Sequence, residues 1–136
     1  MKATELMIND WVLYGKRYAI AKRITPLRCD ILVRITSNHD DIIIETYDNI
    51  DPIPLTAEIL EKNGFEQTGD STFSISDDGM RFYATWWSKT MFNVGFYRRG
   101  NNSPSEQCCL NVCYVHELQH ILRLCGMNEL ADNFKI

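Results

Sequence analysis

Long apolar runs are missing from this 136-residue chain. Ile42-Ile43-Ile44 is typical of what it offers, whereas a membrane span needs about 18 to 20 apolar residues in succession. A secretory leader is not expected either. The opening stretch, MKATELMINDW, has acidic and amide side chains where such a leader needs its apolar stretch. Cysteine is odd in number, with Cys29, Cys108, Cys109, Cys113 and Cys125, and no C-x-x-C occurs. Neighbouring side chains on a strand point to opposite faces, so Cys108 and Cys109 are poorly placed to chelate one metal together. The expectation is a cytoplasmic protein whose thiols are reduced and serve as small hydrophobes. Phosphate-binding loops of the G-x-G-x-x-G or Walker type are absent, as is G-x-S-x-G. What remains is ordinary globular composition, 45% apolar and 24% charged. That excludes disorder, collagen and coiled coil as whole-chain descriptions. A chain of this size buries roughly two-thirds of its unfolded surface and needs no disulfide or metal staple.

Excess positive charge is also lacking. The net charge is −4 and the pI is near 5.3, which is no general nucleic-acid signature. The distribution is uneven, however. Residues 1–35 hold seven Lys and Arg against three acids, and residues 36–80 hold only Lys62 against eleven acids. A basic end beside an acidic middle fits either a nucleic-acid face with a shielding segment or two surfaces that complement each other in the fold.

Hydrophobic alternation predicts strands in the first third. Trp11-Val12-Leu13-Tyr14 is followed by a Gly15-Lys16 turn. Then come Arg17–Thr25, with Tyr18, Ile20 and Ile24 on similar faces, Asp30–Thr36, with Ile31, Val33 and Ile35 on one face, and Ile42–Tyr47. Ser37 to Asp41 reads as a turn cluster. Short strands with tight turns suggest a small bent sheet or SH3-like barrel. Pro52 and Pro54 forbid regular structure. Thr56 then caps a short helix that Asn63-Gly64 ends, with Phe65 folding back. Strands follow at Phe73–Ser76, Met80–Trp87 and Met91–Arg99, the first two joined by an Asp78-Gly79 turn. A loop spans residues 100–105, and the last strand is Cys108–Tyr114. Val115–Cys125 is the best helix, closed by Gly126, and Asn128 caps a final turn.

The fold class expected is α+β. An N-terminal SH3-like or curved antiparallel β unit (1–47) precedes a short helix (56–63). A second antiparallel meander (65–114) and a C-terminal helical segment (115–133) packed on the sheet follow. All form a single compact domain, because no linker divides them.

Three segments carry a resemblance. They are Leu6 to Val12 (LMINDWV), Pro52 to Phe65 (PIPLTAEIL, closing on NGF) and Tyr114 to Gln119 (YVHELQ). In order and spacing the chain resembles a group of small uncharacterised proteins from anaerobic gut bacteria and their phages or mobile elements. The resemblance implies a mobile-element setting and no catalytic residue set. Members of that group often carry Asn at the place of His120 and Gln at the place of Glu117.

His116-Glu117-Leu118-Gln119-His120 fits H-E-x-x-H on a helix. In zinc peptidases both His bind the metal and the Glu polarises the attacking water. Such a site needs a third protein ligand. The extended motif would place Gly at 123 and His at 126, where this chain has Arg123 and Gly126. Glu129 and Asp132 are the downstream carboxylates, and Cys113 with His116 and His120 is a further spacing to weigh. At 100° per residue, Leu118, Ile121, Leu122 and Cys125 share one arc. His116 and His120 fall opposite, near solvent, with Arg123 on their side. The match is therefore read as coincidental, with no metal or other cofactor.

Aromatics interleave with cations at Phe82, Tyr83, Trp86, Trp87, Phe92, Phe96 and Tyr97. That pattern suits base stacking or a β core, and the alternation of Phe92, Val94 and Phe96 favours core. Asp40-Asp41 and Asp77-Asp78 are read as turn formers. The function expected is a non-enzymatic binding or adaptor module of a mobile genetic element, with protein or nucleic acid as partner, no membrane, and homo-oligomers allowed. One alternative is nucleic-acid binding through the basic segment 16–34, using Lys16, Arg17, Lys22, Arg23, Arg28 and Arg34. The other is a metal-dependent hydrolase using His116 and His120, with Glu117 as base.

Overall fold

A computed structural model describes residues 1–36, 38–77, 79–98 and 110–136. The fold is α+β, with two five-stranded antiparallel sheets and three α-helices among the described residues. The chain divides into two compact units. Unit 1 holds Met1–Ile53 and Tyr114–His120; unit 2 holds Pro54–Cys113 and Ile121–Ile136. No helix of the described residues is long and apolar enough to cross a membrane.

Unit 1 is built on strands β1 (Trp11–Tyr14), β2 (Arg17–Ile24), β3 (Cys29–Thr36), β4 (His39–Glu45) and β5 (Ile50–Asp51). Their order in the sheet is β4-β3-β2-β1-β5. Gly15, at φ +60°, supplies the left-handed residue of the β1–β2 turn. The inner face carries Val12, Ala19, Ala21, Cys29, Ile31 and Val33, all buried, with Leu6, Tyr47 and Ile50 completing the core. Small alanines face inward on β2, so Tyr18 and Ile20 face outward. Ile24 does not share their face as the alternation predicted. The register of β2 against β3 shifts between Ala21 and Arg23, and this bulge returns Ile24 to the side of Cys29, against the core.

The acidic turn predicted at residues 37–41 is also corrected. His39, Asp40 and Asp41 lie in β4, where Asp40 pairs with Arg34 and Asp41 with Val33. Strand β4 ends at Glu45, and Tyr47 belongs to a 3-10 turn, Tyr47–Asn49. There its hydroxyl donates to the Thr25 carbonyl at 2.6 Å. The Pro-bounded stretch holds β5, which fits two residues in just before Pro52 and pairs with β1.

Unit 2 contains α1 (Ala57–Lys62), β6 (Glu66–Gln67), β7 (Thr72–Asp77), β8 (Met80–Ser88), β9 (Met91–Arg98), β10 (Leu110–Val112) and α3 (Asn128–Asp132). Its sheet order is β10-β9-β8-β7-β6. Helix α1 starts as its sequence requires: Thr56 Oγ1 accepts from the Ile59 N–H at 3.3 Å. It ends at Gly64, φ +83°, where Phe65 N–H returns to the Leu60 carbonyl and Gly64 N–H to Glu61. Phe82, Ala84, Phe92 and Val94 are buried, as the aromatic alternation implied. Phe82 meets Phe65 edge-on, with ring centroids 6.0 Å apart. Gly95 lies opposite Tyr83 in the β8–β9 ladder, and a Cβ placed there would collide with the Tyr83 ring and hydroxyl. Trp86 and Trp87 are exposed. Asp77 lies in β7, not in the turn predicted for it. Asp78, the loop at 100–105, Cys108 and Cys109 lie outside the described residues. Asn128 is the first residue of α3 and its N-cap is Met127, which corrects the cap assigned to Asn128.

Helix α2 (Val115–Leu124) has residues 115–120 in unit 1 and 121–124 in unit 2. Its first turns lie on the N-terminal sheet, where Gln119 Oε1 accepts from the Trp11 N–H at 3.0 Å.

Candidate functional site

Unit 1 presents two constellations. The first gathers around the first turns of α2. Glu117 Oε2 accepts from the Tyr114 N–H at 3.1 Å, filling an orphan donor at the helix start. Gln119 is fully buried. Besides holding Trp11, it donates from Nε2 to the Asn9 carbonyl at 3.1 Å. Asn9 adopts φ +70° and Lys22 Nζ donates to its side-chain oxygen. Asp10 is also fully buried. Its Oδ2 accepts from the Met7 N–H at 2.7 Å and meets His120 Nε2 at 2.6 Å. The segment Met7–Trp11 is thus clipped to the helix by two side chains of the HELQH run.

His116 is 5% exposed. The wheel placed it near solvent, and this burial overturns that expectation. Its ring stacks on Tyr114 at 5.9 Å and meets His120 edge-on at 5.8 Å. Its Nδ1 has no hydrogen-bond partner among the described residues. Burial pushes its pKa below the ordinary histidine value, against the opposing pull of Asp10, Glu117 and Glu5. A neutral imidazole suits that site. Arg123 pairs with Asp132 at 3.2 Å, which engages one of the carboxylates weighed as a ligand. Among the described residues no three His, Cys, Asp or Glu side chains stand where they could hold a metal ion. Cys29 is buried and its thiol is pushed up to about 11, first by burial.

The second constellation is the outer face of the same sheet. The register aligns Trp11 with Ile20, Ile20 with Leu32 and Leu32 with Ile42. An apolar row therefore crosses four strands on the side away from the core. Above it lies a groove of 570 Å³. Trp11, Tyr18, Ile20 and Leu32 line it with Lys16, Arg17, Arg34 and Asp40. Of the six cations singled out in the sequence, three meet here. Lys22, Arg23 and Arg28 are exposed and do not line it. Arg34 is forked onto Asp40, Nε to Oδ1 at 2.9 Å and Nη2 to Oδ2 at 3.3 Å. That pairing holds the Asp40 carboxyl below its ordinary range.

Sequence reasoning missed Trp11, Tyr18 and Asp40 as groove residues. The available signal was Ala19 and Ala21: two small residues at alternate positions mark the side of a strand that lies closest to the opposing layer, and so send Tyr18 and Ile20 outward. No protein family, no curated protein and no solved structure matches this chain.

Proposed function

We propose that the chain is a non-enzymatic binding module that takes nucleic acid on the outer face of its N-terminal sheet. The observation that carries this reading is the groove, where Lys16, Arg17 and Arg34 rim a floor of Trp11, Tyr18, Ile20 and Leu32. Cations supply phosphate contacts, and apolar and aromatic side chains supply a surface for bases. The overall charge of −4 does not oppose this, because the groove lining itself carries Lys16, Arg17 and Arg34 against Asp40 alone and local potential governs the encounter. The SH3-like reading of the unit belongs to the same proposal. It is supported by β5, which follows a 3-10 turn and returns to pair with β1 at the edge of the meander. The mobile-element setting is carried by the sequence resemblance alone.

The HELQH run is read as a structural clip. Glu117 caps the helix, and Gln119 and His120 hold residues 9–11. A gel shift with random DNA and RNA at low salt, where phosphate contacts are strongest, tests the proposal. A shift that the Lys16→Glu/Arg17→Glu variant loses is expected. No shift at micromolar protein would sink it and return the groove to a protein partner.

A further inference from the structure

Resting on the nucleic-acid reading, we infer that the groove takes an unpaired nucleotide, so that the ligand is a single strand, and that Asp40 competes with its phosphate for Arg34. Shape is the first ground. Duplex DNA is read by convex elements, a helix or a ribbon, that enter its grooves. Here the cationic surface is itself concave, and its 570 Å³ falls in the range that admits a small ligand. A base inside a duplex is already stacked and paired and does not enter such a space; an unpaired base does.

Chemistry is the second ground. The aromatic and aliphatic side chains on the floor offer stacking and apolar contact with any base. No Asn, Gln, Ser or Thr is among the lining residues, so base-edge reading would fall to Lys16, Arg17 and Arg34, the same cations that meet the phosphate. Recognition therefore tolerates sequence. The exposed cations at the rim match the backbone phosphate.

The third ground is the Arg34–Asp40 fork. Asp40 presents two carboxylate oxygens to the guanidinium, as a phosphate would. Both residues line the groove, and the pair is exposed, with side chains 71% and 37% accessible. A phosphate arriving there takes over the guanidinium from Asp40. The carboxylate thus weakens binding and sets a threshold that only a correctly placed phosphate crosses.

The test measures anisotropy of a labelled oligothymidylate of about twelve nucleotides, a length within the range one small β domain covers. A duplex of equal length serves as comparison, both at low salt. The expected result is binding of the single strand with the duplex at least about tenfold weaker, and a loss of about fivefold or more in Tyr18→Ala and in Trp11→Leu. Asp40→Asn binds the single strand more tightly than the parent chain. Tyr18 is exposed, so its variant carries the test if the half-buried Trp11 variant is found unfolded by circular dichroism. Equal binding of duplex and single strand, or an unchanged affinity in Tyr18→Ala, overturns the single-strand inference while leaving the nucleic-acid reading intact. An unchanged or weakened affinity in Asp40→Asn overturns the competition. Failure to bind either probe overturns the underlying reading as well.

Discussion

Gln119 offers a sharp test of how the first turns of α2 are held. Its side chain is fully buried and serves two backbone groups, accepting from Trp11 N–H at 3.0 Å and donating to the Asn9 carbonyl at 3.1 Å. Replacing it by leucine keeps the volume but removes both partners. An unsatisfied buried polar group costs about 1–3 kcal/mol. Two of them give about 2–5 kcal/mol, because the segment relaxes toward water at part of the cost. Leu118→Ala, at a fully buried position next to it, loses about 2–5 kcal/mol through transfer and cavity terms. The two variants are therefore expected to be similarly unstable, although one of them gains apolar surface in the interior. Urea midpoints at unchanged m-value give the comparison. Gln119→Leu within about 0.5 kcal/mol of the parent, the range of an ordinary surface change, would refute the clip, since a buried apolar residue would then serve as well as the amide.

Other outcomes follow from the same geometry. His116 has its pKa lowered by burial, so the folded state binds fewer protons than the unfolded one. Its contribution is fully present above about pH 6.5 and is lost as pH falls below that toward the folded value. Urea midpoints should decline with acid more steeply in the parent than in His116→Gln, and parallel curves would refute this. His120→Ala strips a partner from the buried Asp10 carboxylate and should cost about 1.5–3 kcal/mol, measured by the same denaturation. Cys29, buried and with its thiol pushed up to about 11, should resist alkylation at pH 8 until the chain unfolds; mass mapping after brief iodoacetamide treatment checks it. Gly95→Ala should destabilise by about 1–3 kcal/mol through overpacking against Tyr83, and Tyr83→Ala in the same chain should recover part of that loss in a double-mutant cycle.

The local structure was legible in the sequence wherever one residue type has one conformational use. Thr56 with Asn63-Gly64 fixed both ends of α1, and the alternation of Phe92 and Val94 marked the buried side of β9. Those are nearest-neighbour effects: a hydroxyl oxygen capping a free N–H, a Cβ-free residue at positive φ, a two-residue side-chain period. The tertiary structure alone decided three things. The bulge between Ala21 and Arg23 moved Ile24 to the other face, and no composition signal announces one unpaired residue. Asp40, read as a turn former, is a strand residue because β4 carries its ladder with β3 through Arg34 and on to Thr36 opposite His39. The helix wheel placed both histidines near solvent, yet His116 is buried and His120 is held by Asp10 of Met7–Trp11, a segment more than a hundred residues earlier in the chain. A helical wheel resolves which residues share a side. It holds nothing about which distant segment will cover that side, since the covering depends on contacts whose partners lie far away along the chain.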